Sequence, residues 1–275
     1  MPELPEVETI ARDLQDTVRG ATVVTAHVHR PNVLRELTAK SLAKRISGAT
    51  FEKFWRRAKY AIGDLSTGDR MVVSPRFTGA LLVEAAPFKK SGADYTCVQF
   101  PLADGRTLRF RDVRRLGTVE LMTPERFAQF DAAIGPEPLE KEFTAERFTG
   151  IVRSSSRAIK TILMDQRRMA GIGNIYANEA LWRAFIRPTR RGSSITRAQG
   201  AALHAEVVAV LRSAVDQRGT SFRDYQDPYG GRGGFLGLAK VYSREGEPCV
   251  RCGTTLKSSH AIEGRITVWC TKCQK

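Results

Sequence analysis

No apolar stretch in this chain approaches the roughly 20 residues a membrane-spanning helix needs, which excludes a helical integral membrane protein. Cysteine is scarce, five in 275 residues, too few for a fold held together by disulfides. There are only four histidines, His27, His29, His204 and His260. None falls into a metal-ligand or catalytic-triad spacing, so all four read as structural or surface residues. The opening MPELPEVETI carries neither a basic n-region nor an apolar h-region, so it does not read as a signal peptide and a cytosolic address is expected. There is no internal repeat. Hydrophobic residues at 42% and charged residues at 27% are ordinary for a folded globular protein and exclude a disordered chain.

Acidic residues are also in short supply. Forty-four Lys and Arg stand against 29 Asp and Glu, a formal charge of +15. The excess is uneven. Residues 1–150 hold 23 basic and 20 acidic residues, a net of +3, whereas residues 151–275 hold 21 and 9, a net of +12. A basic excess of this size points to a polyanionic partner, most often nucleic acid. The alternative is charge spread without function over a soluble surface.

The cysteines divide four to one. Cys97 lies in the alternating run ADYTCVQF and reads as a small buried hydrophobe. The others form Cys249-x-x-Cys252 and Cys270-x-x-Cys273, separated by 17 residues, the spacing of a four-thiolate zinc site. Two disulfides would satisfy the same count, but a reducing cytosol disfavours them. Four thiolates leave no open coordination position, so the site is expected to be structural. Alternating Ile266, Val268 and Trp269 ahead of the second pair suggest a hairpin pinned by metal, with Arg265 on it.

Glu6 to Arg19 reads as a helix, with Val7, Ile10, Leu14 and Val18 on one face and Gly20 as the stop. Short alternating runs follow: ATVVTAHVH, RMVVS, GALLVEA, YTCVQF, RTLRFRD and GTVELM. Their spacing suggests a β-sandwich or barrel. From about Pro124 the pattern turns helical, with runs near 145–152, 157–168, 174–184 and 196–217. The Pro- and acid-rich GPEPLEKEF (135–143) reads as a linker, and RSSSR (153–157) as a cap and connection, since its serines have no partner base. The expected architecture is α+β in two lobes. Residues 1–134 would form a β-sandwich lobe with an N-terminal helix, 135–144 a linker, 145–240 a helical lobe and 241–275 a metal-bound hairpin. A cleft between two lobes would suit a rod-like polymer.

The N-terminus carries chemistry of its own. If Met1 is removed, Pro2 becomes a free secondary amine, and an α-amino group of pKa about 8 is partly unprotonated at neutral pH. Such an amine attacks sugar and carbonyl carbons to give an iminium, a good electron sink for β-elimination. Glu3 and Glu6 stand beside it and could divide acid and base roles. The same residues also read as an ordinary helix start, with acids placed to suit the helix dipole.

Taken with the paired CxxC motifs and GIGNIYANEA, MPELPEVETI resembles the bacterial formamidopyrimidine-DNA glycosylase family. The similarity continues in order through RRAKY (56–60), DVRRLG (112–117), IGPEPL (134–139), AIKTILMDQ (158–166), RGTSFRDY (218–225) and VYSREGEPCVRCG (241–253), covering essentially the whole chain. The resemblance implies a base-excision repair enzyme that removes oxidised purines, such as 8-oxoguanine and formamidopyrimidines, and then cleaves the abasic site by β,δ-elimination. It implies Pro2 as the nucleophile at the deoxyribose C1′, Glu3 as the proton shuttle, Glu6 as a supporting carboxylate and Lys59 as a phosphate contact beside the lesion. Asn174, opening the second helix of a helix–two-turns–helix motif after Gly171-Ile-Gly173, and Arg265 on a zinc-finger hairpin would grip the DNA backbone. Asn174 also reads simply as a helix cap. Lys160 is implied near the DNA.

A base can be excised only once it leaves the stack, and the resemblance implies Phe77, Arg115 and Leu116 as the side chains that fill the gap, with Arg115 on the orphaned base. Here the chain departs from its relatives. The family's usual His-Leu-Gly-Met-Ser-Gly is Ser74-Pro75-Arg76-Phe77-Thr78-Gly79, and the usual Phe after the double arginine is Leu116. Residues 219–237, with Thr220, Ser221 and several glycines, correspond to a loop over the flipped base, or else form a plain linker. The implied partners are one structural Zn2+ on Cys249, Cys252, Cys270 and Cys273, and double-stranded DNA with oxidised bases or abasic sites. The implied setting is a monomer in the bacterial cytoplasm, associated with the nucleoid and not with a membrane. Two other readings remain: an endonuclease VIII-like enzyme for oxidised pyrimidines, disfavoured by Leu4 where that branch typically has glycine, and a catalytically silent binder of damaged DNA.

Overall fold

A reciprocal cap opens the first helix. The Glu3 side chain accepts the Glu6 backbone N–H, and the Glu6 carboxylate accepts the Glu3 N–H at 2.7 Å. Pro5 falls in the first turn, where a missing N–H costs nothing. Helix α1 therefore runs Leu4–Thr17, starting and ending two residues before the periodicity alone suggested. Its Val7, Ile10 and Leu14 stripe is completely buried. The structure, a computed structural model, describes residues 2–85, 95–220 and 233–275. Met1 and Ser221 lie outside the described residues.

The chain forms two compact units. One comprises Met1–Ala132 with Gln217–Gly234, the other Ala133–Asp216 with Phe235–Lys275. In the first unit, a four-stranded sheet has the order β1 (His27–Val28), β6 (Thr96–Pro101), β7 (Thr107–Asp112), β5 (Gly79–Glu84). A second has the order β2 (Phe51–Arg57), β3 (Tyr60–Leu65), β4 (Arg70–Ser74), β8 (Thr118–Met122). All the pairings are antiparallel. Phe51, Val73 and Leu121 of one sheet, Leu81, Phe100 and Phe110 of the other, and the α1 stripe share one apolar core, the arrangement of a sandwich. Complete burial of each such side chain is worth about 1.5–3 kcal/mol. Two short helices, α2 (Ala39–Ile46) and α3 (Pro124–Ala132), complete this unit.

Two strand expectations change. The hairpin β2–β3, from FEKFWRR and YAIGDL, does not stand out as strand in the sequence, because its residues are buried on no simple alternation. Conversely, ATVVTAHVH yields only the two-residue β1, plus isolated bridges from Thr22 and Val23.

The second unit is helical, with α4 (Ala145–Arg153), α5 (Ile159–Met164), α6 (Asn174–Arg183) and α7 (Arg197–Asp216) close to the expected positions. Thr144 caps α4 by accepting the Arg147 N–H. The stretch 135–143 is packed rather than loose. The Gly135 N–H donates to the Gln166 carbonyl at 2.9 Å, and Phe143 is buried against Phe148 and His204. His204 Nε2 bonds the Phe143 carbonyl at 2.6 Å, a structural role. A two-stranded hairpin, β9 (Lys257–Ser259) with β10 (Thr267–Trp269), lies near the C-terminus. Among the described residues no helix is long and apolar enough to cross a membrane. Cys97 is buried, as its neighbours suggested.

Candidate functional site

The first unit gathers the N-terminal candidates. Pro2 is buried at the head of α1, and Glu3 and Glu6 are each 1% exposed. Both Glu6 oxygens meet backbone donors: Oε2 accepts Glu3 N, and Oε1 accepts Thr220 N at 2.6 Å. Glu6 is thereby a strut between the helix start and a segment more than two hundred residues later. That segment is fitted closely. Gly219 has φ +80°, and a Cβ there would lie 2.8 Å from Glu6 Oε1 and Cγ. Next to it, Arg218 pairs with Asp13 of α1, Nη2 to Oδ2 at 2.5 Å. The Arg218–Asp13 pair is invisible in the sequence, since nothing in either motif names the other.

Lys59 sits half-buried in the two-residue turn of the β2–β3 hairpin, after Ala58 at φ +50°. Arg56 anchors the turn by donating to Glu8 of α1 at 2.8 Å and to the Ala58 carbonyl at 3.1 Å. Burial opposes charge on Glu8, but Arg56 and Arg12 outweigh it and hold the carboxyl below its ordinary range. The strand that presents Lys59 is thus tied to the helix that begins just after Glu3.

Phe77, Arg115 and Leu116 lie on two loops, β4–β5 and β7–β8, which the structure laces together. Asp112, fully buried, accepts the Thr78 hydroxyl, Gly117 N at 2.7 Å and Arg114 N at 3.1 Å. Thr78 Oγ1 also accepts Arg114 N at 2.9 Å, and the Arg114 guanidinium lies 4.8 Å from the Phe77 ring centre. Gly117 admits no side chain, since a Cβ would meet the Ser74 carbonyl at 2.7 Å. Phe77 at 38% and Leu116 at 43% are among the exposed large hydrophobic side chains. Arg115 holds φ +54°, a conformation that costs a non-glycine residue of order 1 kcal/mol. Rigid loops that expose apolar tips are suited to insertion between bases. Asp112 opens the motif DVRRLG, but its part as the clasp between loops is visible only in three dimensions. Asp112→Asn is expected to set an amide N–H against one of these donors and to cost about 1–3 kcal/mol, measured as a lower denaturant midpoint with an unchanged m-value.

In the second unit, Gln166 shapes the turn before α6. Its Nε2 donates to the Met164 and Ile172 carbonyls, and its Oε1 accepts Gly171 N, each at 2.8 Å. Gly171 holds φ +78°, as the tight turn requires. Asn174 is the first residue of α6, with Gly173 as its cap, so Asn174 is not the cap itself; its Oδ1 lies 3.4 Å from Asn178 Nδ2 one turn on. The free amides of a helix N-terminus attract phosphate. Glu179, further along α6 and fully buried, accepts the N–H groups of Lys240, Val241 and Tyr242 at 2.8–2.9 Å and fixes the approach to the C-terminal hairpin.

Arg265 is half-buried on the hairpin, in the loop just before β10. Lys160 departs from what the resemblance implied. It is 0% exposed, and its Nζ donates to the Ile266 carbonyl at 3.1 Å and Thr267 Oγ1 at 2.7 Å. Held this way, the ammonium braces the hairpin beside Arg265.

The four sulfurs of Cys249, Cys252, Cys270 and Cys273 lie within 4.8 Å of one another. Metal–sulfur bonds of about 2.3 Å in a tetrahedron put sulfurs about 3.8 Å apart, so the cluster could hold a metal ion. Its electrostatics fit. Cys252 is drawn down to about 6, chiefly by hydrogen bonds from Thr254. Cys273 is pushed up to about 12 by removal from water and by the neighbouring sulfurs. Four thiols so close can all ionise only around a cation. Trp182 of α6 and Val268 pack over the sulfurs, and Arg251 stacks on Trp182 at 3.9 Å and on Phe185 at 3.8 Å.

Comparison with known proteins agrees with this geometry. Residues 1–119 match the model of the formamidopyrimidine-DNA glycosylase N-terminal domain, and residues 134–226 match that family's H2TH domain. A formamidopyrimidine-DNA glycosylase from Desulforamulus reducens is 38% identical over 100% of this chain and 99% of its own. Among solved structures, a Lactococcus lactis Fpg variant in complex with Fapy-dG-containing DNA superposes with a TM-score of 0.92 at 29% identity, covering 100% of both chains. The wild-type Lactococcus lactis protein in complex with DNA containing an oxidised pyrimidine gives 0.91, again at 29% identity and 100% of both chains. With both domain models matched and the likeness running from end to end, this chain belongs to the formamidopyrimidine-DNA glycosylase family.

Proposed function

We propose that the protein is a bifunctional base-excision repair glycosylase that removes oxidised purines from duplex DNA and cleaves the resulting abasic site. The observation that carries this reading is the buried head of α1, where Pro2 adjoins Glu3 and Glu6 and where Glu6 is held by two backbone amides. With Met1 removed, the Pro2 nitrogen attacks C1′ of the damaged nucleotide and the C1′–base bond breaks. Glu3 delivers a proton to the sugar ring oxygen as the ring opens. The iminium so formed carries a positive charge, and two buried carboxylates beside it offset that charge. Loss of a C2′ proton then expels the 3′ phosphate (β-elimination), and a second elimination expels the 5′ phosphate. Hydrolysis of the iminium restores the amine.

DNA would be held by Lys59, Asn174 and Arg265 on phosphates, with Phe77, Arg115 and Leu116 filling the vacated stack. The four cysteines would hold one zinc ion, whose part is structural: four thiolates close its coordination shell. Zinc would act on DNA indirectly, by stiffening the hairpin segment before β10.

Borohydride trapping tests the reading. Processed protein mixed with an 8-oxoguanine duplex and borohydride should give a covalent protein–DNA adduct. Mature protein that cuts no oxidised duplex and traps none is a silent binder. Because a similar structure holds an oxidised pyrimidine, a thymine glycol duplex belongs in the same assay, and stronger cutting of it than of 8-oxoguanine would favour the pyrimidine reading. Leu116→Phe restores an aromatic tip to the β7–β8 loop and is expected to change discrimination between bases opposite the lesion. Excision rates on duplexes with each of the four opposite bases measure it, and an unchanged ranking would remove Leu116 from the wedge.

A further inference from the structure

Asn178 takes no part in the reaction just described, yet it is fully buried inside the second unit with a specific set of bonds. Its Nδ2 donates to the Asn174 carbonyl at 2.7 Å and lies 3.4 Å from Asn174 Oδ1. Its Oδ1 accepts the Val268 N–H at 3.0 Å. The orientation of this amide is not a free choice. A backbone N–H only donates and a carbonyl only accepts, so Oδ1 must face Val268 and Nδ2 must face Asn174. One side chain therefore joins the first residue of α6 to the strand that follows Arg265.

The two ends matter because of what they carry. At one end the long bond to Asn174 Oδ1 turns the Asn174 amide so that its own N–H donors face away from Asn178, as a phosphate contact requires. At the other end Val268 lies three residues beyond Arg265. The intervening backbone is held by Lys160 on Ile266 and Thr267, and by the Thr267 hydroxyl on the Arg265 carbonyl at 3.2 Å. The α6 start is thus joined to Arg265 through the Asn178–Val268 hydrogen bond and the braced residues Ile266 and Thr267 that separate Val268 from Arg265.

We propose that Asn178 is a positioning residue that couples the Asn174 and Arg265 phosphate contacts, so that the two engage DNA as one unit. This rests on the reading of Asn174 and Arg265 as phosphate contacts. Asparagine suits the task because it offers one donor and one acceptor in a plane. Aspartate keeps the Val268 bond and loses the donor to Asn174, and leucine of similar size loses both.

The test measures affinity for a duplex carrying a stable abasic-site analogue over a range of salt. Asn174→Ala, Arg265→Ala and the double variant are compared in the parent and in an Asn178→Leu background, with metal content and thermal unfolding checked for each protein. In the parent the two losses are expected to be non-additive by at least about twofold. In the Asn178→Leu background they should multiply independently. Asn178→Leu alone, though it touches no phosphate, should flatten the slope of log K against log salt by about 0.9 for each phosphate no longer neutralised. A residue that merely packs would lower the unfolding temperature and leave slope and coupling as they were, which would overturn the proposal. If Asn178→Leu does not fold, Asn178→Asp replaces it, with the same loss of coupling expected. Wild-type binding by both alanine variants would instead refute the phosphate reading, and the relay with it.

Discussion

A Glu3→Gln variant is expected to bind an oxidised-purine duplex as tightly as the parent and to release the base more slowly by about 10²–10⁴-fold, the usual worth of a positioned proton donor. The substitution is conservative in shape. The amide oxygen of the substituted side chain can still accept the Glu6 N–H, so the cap that starts α1 survives. Only the exchangeable proton is lost. Glu6→Gln is different in kind: both Glu6 oxygens accept backbone N–H groups, from Glu3 and Thr220. An NH2 group there would face a donor, so binding and base release should fall together. Single-turnover excision and equilibrium binding on the same duplex separate the two patterns. Base release by Glu3→Gln at the parent rate would remove Glu3 from the chemistry.

Stripping metal from the four-cysteine cluster should have the second large effect. Binding of a structural zinc is worth about 10–16 kcal/mol in small domains, and much of that is folding energy. Here the cluster shares its packing with Trp182, Val241, Leu256 and Val268. Its loss should release the hairpin, unseat Arg265 and weaken DNA affinity, with the salt slope falling by about 0.9 for that one phosphate. Pro2 lies in the other unit, so under the proposed mechanism trapping at saturating DNA should persist. Affinity measured after metal loss is verified by elemental analysis decides the matter, and unchanged affinity would detach the hairpin from DNA binding.

Much of the fold is legible in local pattern. The periods of α1, α4 and α7 agree with the structure because each helix buries mainly one face, and periodicity reports that directly, whereas α6 is buried on every side from Asn174 to Trp182. The β2–β3 hairpin is illegible for the converse reason: Ala61, Ile62 and Gly63 are buried in succession, so no alternation marks the strand. The cysteine cluster is legible because its spacing is itself the chemistry. Lys160 is implied near the DNA by its place in the AIKTILMDQ motif, while its burial rests on the Ile266 carbonyl and the Thr267 hydroxyl more than a hundred residues away.

The family, the nucleophile candidate, the thiol set and the proposed wedge residues are all named by the amino-acid order, since each belongs to a short motif. What binds those motifs into sites belongs to tertiary structure alone: Thr220 on Glu6, Asp112 between two loops, Glu179 on the segment 240–242 and Asn178 on the C-terminal hairpin. Each of these is a buried polar group satisfied by a partner remote in the chain. Such a group must find a partner on folding, but one-dimensional order does not say which.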